Sequence, residues 1–188
     1  MINSVSLYKT CYNEKQFPDM NKKEIAFAGR SNVGKSSLLN SLFNRKLALT
    51  SSKPGKTQSV NYFLINDSIY FVDLPGYGFA RVSKSEKDKW NKLIESYFKK
   101  RDTLDLVVLL IDSRHTLQKN DQKMIEWINY YEIPFIIALT KIDKLSKNKA
   151  SQAVSYYKKI LEPVGPPGIF PVSSVKREGL EDLIKVFF

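Results

Sequence analysis

Residues 25–36 read Ile25-Ala26-Phe27-Ala28-Gly29-Arg30-Ser31-Asn32-Val33-Gly34-Lys35-Ser36. The first four residues are apolar and predict a buried strand. The next eight match the phosphate-loop pattern, in which two glycines at fixed spacing precede Lys and Ser. Apolar residues then recur at helical spacing, at Leu38, Leu39, Leu42 and Phe43. A strand, a glycine-rich loop and a helix in this order predict a site that cradles phosphate groups.

The chemistry of this loop follows from its residue types. Glycines let backbone N–H groups converge on phosphate oxygens, and the helix N-terminus adds a partial positive charge. Lys35 is predicted to neutralise the β and γ phosphates, and Ser36 to supply a hydroxyl to Mg2+. The residues predicted to bind the nucleotide here are Gly29, Arg30, Ser31, Asn32, Val33, Gly34, Lys35, Ser36 and Ser37.

A second apolar run ends in Asp73-Leu74-Pro75-Gly76. This position puts a carboxylate at the carboxyl edge of the predicted sheet, where ligands of open α/β folds bind. Asp73 is predicted to hold the metal through water. Gly76 has no side chain, so its N–H can approach the γ-phosphate. The segment after Gly76 is therefore expected to respond to hydrolysis.

The base is predicted to lie where an apolar run over residues 135–139 meets Thr140-Lys141-Ile142-Asp143. The Asp143 carboxylate can accept two hydrogen bonds from guanine, whose ring N–H and exocyclic amine are adjacent donors that adenine lacks. Such a pair can reject an analogue without those groups by about 10^4 to 10^5-fold, which favours a GTPase over an ATPase. The stem of Lys141 is expected to lie over the purine. A backbone N–H of Ser173-Ser174-Val175 is placed to reach the guanine carbonyl oxygen.

Short β-branched and apolar runs alternate with helical patterns after residue 25, which is typical of βαβ units around a parallel sheet. Strands are predicted over residues 25–28, 60–65, 69–72, 106–111, 135–139 and 169–172. Residues 66–68 make the second and third of these a hairpin, with one antiparallel edge strand. We expect one three-layer α/β domain over residues 1–188, with a six-stranded sheet, helices on both faces, and residues 1–22 as an N-terminal extension.

Charge points to a polyanionic partner. Thirty Lys and Arg residues against nineteen Asp and Glu give 188 residues a net charge of +11, which favours nucleic acid and makes binding depend on salt. The basic residues thought to form this surface are those in 83–92 and 144–149, with Lys99, Lys100, Arg101, Lys158 and Lys159. With no apolar run that could span a bilayer and a single cysteine, we expect a cytoplasmic monomer without stable membrane contact.

Residues 45–59 show neither helical nor strand periodicity, and a loop of that length is typically functional, so we predict a switch segment there. At this point the order of motifs resembles that of the translation-factor-like GTPases. The likeness is strongest to the EngB family of bacterial ribosome-assembly GTPases, also called YsxC or YihA, over nearly the whole chain. It is carried by residues 25–40, by Lys53-Pro54-Gly55-Lys56-Thr57-Gln58 and by Asp73-Leu74-Pro75-Gly76-Tyr77-Gly78.

The resemblance implies further site residues and partners. In such families a threonine in the switch loop closes on the metal when GTP is bound, and Thr57 is the matching position. The predicted site thus gains Gly55, Lys56, Thr57, Gln58 and Ser59, and the predicted Mg2+ set becomes Ser36, Thr57 and Asp73. The resemblance also implies association with the large ribosomal subunit precursor, through rRNA and ribosomal proteins, and a role in cell division and septation.

Two residues bear on catalysis. Tyr77 stands where many GTPases place a glutamine that orients the attacking water, a task that tyrosine cannot perform. Asn32 resembles the asparagine of cation-dependent relatives, which binds K+ beside the phosphates; alternatively, it only braces the loop by hydrogen bonding. We expect slow intrinsic hydrolysis with Lys35, Thr57 and Asn32 as catalytic residues. A different class of function stays open: an RNA-binding module whose nucleotide site is structural.

Overall fold

A computed structural model describes residues 2–48, 59–78, 83–165 and 168–188. Its strands are β1 (Val5–Cys11), β2 (Lys23–Gly29), β3 (Val60–Ile65), β4 (Ile69–Asp73), β5 (Leu104–Asp112), β6 (Phe135–Thr140) and β7 (Ile169–Pro171). Within the described ranges they form one sheet in the order β1-β3-β4-β2-β5-β6-β7. Of these seven strands, β3 alone runs antiparallel to the others. The predicted class, a mostly parallel α/β sheet, is confirmed.

Helices cover both faces of this sheet, as predicted. The helices are α1 (Lys35–Phe43), α2 (Lys84–Lys100), α3 (Lys119–Tyr130), α4 (Lys147–Leu161) and α5 (Leu180–Lys185). Apolar residues of α2, α3 and α4 pack on one face, and those of α1 and α5 pack on the other. β2 lies between them and is buried from its second residue onward. The phosphate loop therefore leaves the centre of the sheet from a rigid base.

The strand count differs from the prediction. Seven strands are present in the described part of the chain, because Val5–Cys11 pairs with β3 and takes the edge position. β3, the antiparallel strand, is therefore second from the edge. β1 carries a weak sequence pattern because most of its side chains are exposed, Leu7 and Tyr8 by about half. Strand prediction relies on side chains that are alternately buried and exposed along the chain. An edge strand whose side chains are mostly exposed does not require that alternation.

One basic residue assigned to the surface is instead buried. Arg101 is 7% exposed and forms an ion pair with Glu24, which is fully buried. Tyr97 donates a hydrogen bond to the same carboxylate at 2.8 Å, and Thr103 donates another at 2.9 Å. A buried carboxylate requires such partners, since an unpaired charge is strongly destabilising there. Arg101 therefore belongs to the fold and not to a nucleic-acid surface.

Candidate nucleotide-binding site

The phosphate loop connects the end of β2 to the first turn of α1. Gly34 directly precedes the helix with a φ of 104°, a left-handed conformation that L side chains rarely adopt. Gly34 has no side chain to cap the first backbone N–H groups of α1, so these donors are left for an external acceptor. Uncapped N–H groups at a helix N-terminus fit a phosphate group.

Lys35 contacts Asp73 across the sheet edge. Its ammonium forms an ion pair with the Asp73 carboxylate, and only about a tenth of each side chain is exposed. Asp73 ends β4, next to the β2 strand from which the loop emerges. The structure thus brings together the predicted phosphate-binding lysine and the predicted metal carboxylate, two residues that are 38 positions apart.

The segment after Asp73 is tied to the phosphate loop by backbone hydrogen bonds. Tyr77 N–H donates to the Gly29 carbonyl at 3.2 Å, and Ser31 N–H donates to the Tyr77 carbonyl at 2.9 Å. Between these contacts, a Cβ at Gly76 would lie 3.3 Å from the Ser31 backbone. Only glycine fits this close approach without a shift of the loop. The predicted role of Gly76 as a point of backbone access is compatible with this geometry.

The residues present fit a magnesium ion that is held mainly by phosphate and water. Ser36 lies on the first turn of α1, beside Lys35, which itself reaches Asp73. Among the described residues no group of three His, Cys, Asp or Glu side chains could hold a metal. Mg2+ at nucleotide sites needs only one or two protein ligands, because phosphates and water supply the rest. Thr57, the third predicted ligand, lies outside the described residues.

At the other end of the site, residues after β6 are tied to the phosphate loop. The Thr140 hydroxyl donates to the Val33 carbonyl at 2.7 Å. The Lys141 ammonium donates to the Asn32 carbonyl at 2.7 Å, so its stem extends beside the loop. These contacts explain how residues more than a hundred positions apart in the chain can form one pocket. Lys141 is thereby fixed beside the loop where the purine is predicted to lie.

Asp143 is held by a residue from the next strand connection. Ser173, which is fully buried after β7, donates from its hydroxyl to Asp143 at 2.7 Å. This hydrogen bond, aided by the backbone and by Lys144, holds the pKa of Asp143 below its ordinary value. Ile142, between Lys141 and Asp143, donates its N–H to the Val172 carbonyl at 3.3 Å. The carboxylate is therefore charged and oriented before guanine arrives.

The segment Ser173-Ser174-Val175 makes two contacts within the protein that the sequence did not predict. Ser173 contacts Asp143 through its side chain, and the Ser174 carbonyl accepts a hydrogen bond from Ser41 of α1 at 2.7 Å. Val175 is 79% exposed. The predicted contact from a backbone N–H to guanine stays a prediction. The positioning of Asp143 by Ser173 was missed, because two residues 30 positions apart carry no local signal of their pairing.

Asp112 and Arg114 are further site residues that the sequence did not reveal. Asp112 ends β5 and forms ion pairs with Lys141 at 2.9 Å and with Arg114 at 2.8 Å. Burial raises the pKa of Asp112, but hydrogen bonds from Arg114 and Lys141 outweigh this effect and hold that pKa well below its usual range. A carboxylate at the carboxyl end of a predicted strand was the available signal, since Asp73 was found by the same rule.

The Tyr77 side chain contacts α2 and α3. Its side chain is 6% exposed, and its hydroxyl donates to Asp121 of α3 at 2.7 Å. Burial, together with the Asp121 carboxylate, raises the pKa of Tyr77 well above its ordinary value. The adjacent Trp90 of α2 donates its indole N–H to the Pro75 carbonyl at 3.1 Å. These contacts connect the segment after β4 to α2 and α3, and they occupy Tyr77 in a packing role.

The remaining predicted residues lie in or beside the long loop. Gly55, Lys56 and Gln58, like Thr57, lie outside the described residues. Ser59 is 2% exposed, and its hydroxyl has no hydrogen-bond partner within the described ranges. Asn40 of α1 accepts hydrogen bonds from the N–H groups of Leu47 and Ala48, both at 2.8 Å. The start of the predicted switch segment is therefore anchored on the helix of the phosphate loop.

A phosphate loop between β2 and α1, a carboxylate after β4 and a guanine-type carboxylate after β6 define a P-loop GTPase. Residues 24–141 match the family model described as 50S ribosome-binding GTPase. Over 186 residues the chain is 56% identical to the probable GTP-binding protein EngB of Kosmotoga olearia, covering 99% of this chain and 98% of that protein. The chain therefore belongs to the EngB family of GTP-binding proteins, and it is a GTP-hydrolysing enzyme by class.

Solved structures agree with this fold. A crystal structure of a probable GTP-binding protein EngB superposes with a TM-score of 0.71 at 23% identity, over 87% of this chain and 96% of that chain. A structure of Era in complex with MgGDPNP and nucleotides of 16S ribosomal RNA superposes with a TM-score of 0.68 at 25% identity, over 89% of this chain and 56% of that chain. No helix among the described residues is long and apolar enough to cross a membrane.

Proposed function

We propose that this GTPase is a cytoplasmic switch that associates with the large ribosomal subunit during its assembly, and that its loss disturbs cell division. The observation that carries the proposal is the joint between the phosphate loop and the segment after β4. Lys35 is paired with Asp73, and Tyr77 exchanges backbone hydrogen bonds with Gly29 and Ser31. A change in phosphate number at Lys35 therefore acts directly on a segment that contacts α2 and α3.

The chain's own groups suffice for a switch of this kind. Bound GTP and Mg2+ supply a hydrolysable phosphoanhydride bond and a divalent charge that screens the phosphates. Lys35 neutralises phosphate oxygens, and the N–H groups of the first turn of α1 donate to them. Mg2+ would be held by the Ser36 hydroxyl and, through water, by Asp73, with Thr57 as the third proposed ligand. Loss of the γ-phosphate removes a negative charge that Lys35 neutralises. The Lys35 ammonium is then free to pair with Asp73.

The surface charge supports a ribosomal partner. The lysines of α2 and α4 are exposed on the face of the sheet that also carries α3, as shown by Lys87, Lys92, Lys99, Lys147, Lys149, Lys158 and Lys159. The family description names the 50S ribosome, and Era, a structural relative, has been seen with ribosomal RNA. We propose that these lysines face rRNA. Affinity should then fall by orders of magnitude between about 50 and 200 mM salt.

The test is sedimentation of the purified protein with large-subunit precursors, with GDP or with a non-hydrolysable GTP analogue. We expect the two nucleotides to give clearly different bound fractions, and Lys35→Ala to abolish the difference. Lys185→Ala is the matched control, because Lys185 is exposed and its ion-pair partner among the described residues is Asp182. If the bound fraction is the same with either nucleotide, the chain is instead an RNA-binding module with a structural nucleotide site.

We also propose that Asn32 binds K+ beside the phosphates. Asn32 is exposed at the loop with a φ of 63°, and its side chain makes no hydrogen bond to a described residue, which disfavours a bracing role. A K+ ion there would stabilise the charge that develops during hydrolysis. Replacing Na+ by K+ should accelerate hydrolysis by the wild type and not by Asn32→Ala. Equal wild-type rates in the two salts would rule the ion out.

A further inference from the structure

A groove between α2 and α3 is not used by the nucleotide site. It has a volume of about 480 Å³ and is lined by Glu95, Lys99, Glu126, Trp127, Tyr130 and Tyr131. We call it the aromatic groove. Three of its residues, Trp127, Tyr130 and Tyr131, follow helical spacing and so share one side of α3. Tyr130 is 78% exposed, the largest exposure among the described tyrosines, so most of this residue is accessible to a partner.

The rings of the aromatic groove are held in place by their neighbours. Trp127 stacks on Trp90 with parallel planes and centroids 6.3 Å apart. Tyr131 packs against Phe98 at 6.2 Å and meets Tyr130 edge-on at 5.0 Å. Rigid aromatic side chains lose little conformational entropy when a partner binds. The groove is thus preorganised as a contact surface.

Charge decides what kind of partner fits. The lining carries two carboxylates, Glu95 and Glu126, and one ammonium, Lys99, within a chain whose net charge is +11. The lining therefore carries one more negative than positive charge, although the two helices that form the groove also bear exposed lysines. RNA phosphates would be repelled by the two carboxylates. A guanidinium is attracted both by carboxylates and by the faces of Trp and Tyr rings.

We propose that the aromatic groove binds a basic polypeptide segment, with arginine side chains on Trp127 and Tyr130 and paired with Glu95 and Glu126. The inference rests on the proposed function, in which the partner is a particle made of both RNA and protein. The lysines of the surrounding face would then contact RNA, and the groove would receive a basic protein segment of the same particle. The basic part of the surface would thus contact RNA, and the groove with its two carboxylates would contact protein.

The groove is also connected to the nucleotide site. Trp90, which stacks on Trp127, contacts the Pro75 carbonyl through its indole N–H and meets the Tyr77 ring at 6.0 Å. Two ring contacts therefore separate the groove from the segment after Asp73. A nucleotide that shifts this segment should change the affinity of the groove, and linkage requires the reverse effect of equal size.

The experiment titrates the full chain, loaded with GDP or with a GTP analogue, against a fluorescent capped peptide of alternating arginine and glycine. A chain of charge +11 repels a cationic peptide in general, so saturable binding reports a local site. We expect Tyr130→Ala and Glu126→Lys each to weaken binding about tenfold or more. Tyr12→Ala and Glu181→Lys, which change exposed residues outside the groove, should leave it unchanged. Affinity should differ between the two nucleotide states.

Several results would overturn the proposal. One is absence of saturable peptide binding to the wild type, and another is equal weakening by the control variants. If Tyr130→Ala weakens binding of a duplex RNA and not of the peptide, the groove is an RNA surface. If it converts a wild-type dimer to monomer in sedimentation, the occupant is a second copy. Sedimentation with ribosomal particles is a separate readout: failure there removes the proposed function, while the peptide titration still decides the groove.

Discussion

The guanine end and the phosphate end of the site are held in different ways. At the guanine end Asp143 is paired with Ser173, and Lys141 is paired with both Asp112 and the Asn32 carbonyl. At the phosphate end Lys35 has Asp73 as its partner, and the first N–H groups of α1 have no side-chain cap. The groups predicted to select the base are therefore held in place by the folded chain, whereas the predicted grip on phosphate would be completed by charges that the ligand brings.

The largest effect is expected from Asp143→Asn at the guanine end. The amide replaces a double acceptor by one acceptor and one donor, so it no longer matches the two adjacent donors of guanine. It matches xanthine, which has a carbonyl in place of the exocyclic amine. The preference for GTP over XTP should fall by on the order of 10^4. Competition of labelled GTP by XTP, in the variant and the wild type, measures this change.

The comparison of the two ends predicts that Asp143→Asn changes base selectivity and leaves phosphate binding unchanged. XTP should bind the variant about as tightly as GTP binds the wild type, because Lys35 and the loop amides are unchanged. Weak binding of both nucleotides by a folded variant would contradict a preformed guanine end. It would mean that Asp143 supports the loop itself.

A somewhat smaller effect is expected from Lys35→Ala at the phosphate end. The substitution removes the ammonium and leaves Asp73, whose side chain is about a tenth exposed, without its partner. Truncating one member of such a pair at a binding site lowers affinity by on the order of 100-fold to 1,000-fold. Calorimetry should show this loss for GTP and GDP, and a much smaller loss for GMP, whose single phosphate does not reach Lys35. An equal loss of affinity for all three nucleotides would mean that the guanine end and the phosphate end act as one unit.

The sequence carries a clearer signal for the groups that are predicted to touch the ligand than for the groups that hold them in place. Lys35, Asp73 and Asp143 follow from short patterns, because a phosphate loop or a guanine carboxylate needs given residue types at given spacing. The central strands and the helix that follows the phosphate loop were predicted for a similar reason, since burial imposes a period on their apolar residues. Function and burial leave a local trace.

The supporting residues show no local pattern that reveals which residues they pair with. Ser173 and Asp143 pair across two strand ends, and Asp112 meets Lys141 only once β5 and β6 lie side by side. The same reason explains Arg101, whose charge placed it on the surface although Glu24 holds it in the interior. β1 was missed because an edge strand with exposed side chains shows no alternation. The topology of the fold decides which distant residues become neighbours, and a pattern within one stretch of sequence does not reveal it.

The smallest effect, and the one that separates position from charge, is expected from Ser173→Ala. The Ser173 hydroxyl holds the pKa of Asp143 below its ordinary value, so its removal raises that pKa. At pH 7 the carboxylate is still charged in the variant, and GTP affinity should fall only by about tenfold or less, as for one lost hydrogen bond. As the pH falls toward about 4, the variant protonates first, because its pKa is nearer the unperturbed value. The deficit relative to wild type should therefore grow on acidification.

The ratio of the two affinities is the quantity to measure, because the protonation of GTP itself cancels between variant and wild type. Ser41→Ala is the matched control: its hydroxyl donates to the neighbouring Ser174 carbonyl at 2.7 Å and does not contact Asp143. That control should show a constant ratio across the same pH range. A constant ratio for Ser173→Ala as well would mean that Ser173 only places the carboxylate. A ratio that widens at low pH in Ser173→Ala alone shows that the guanine end is prepared in charge as well as in position.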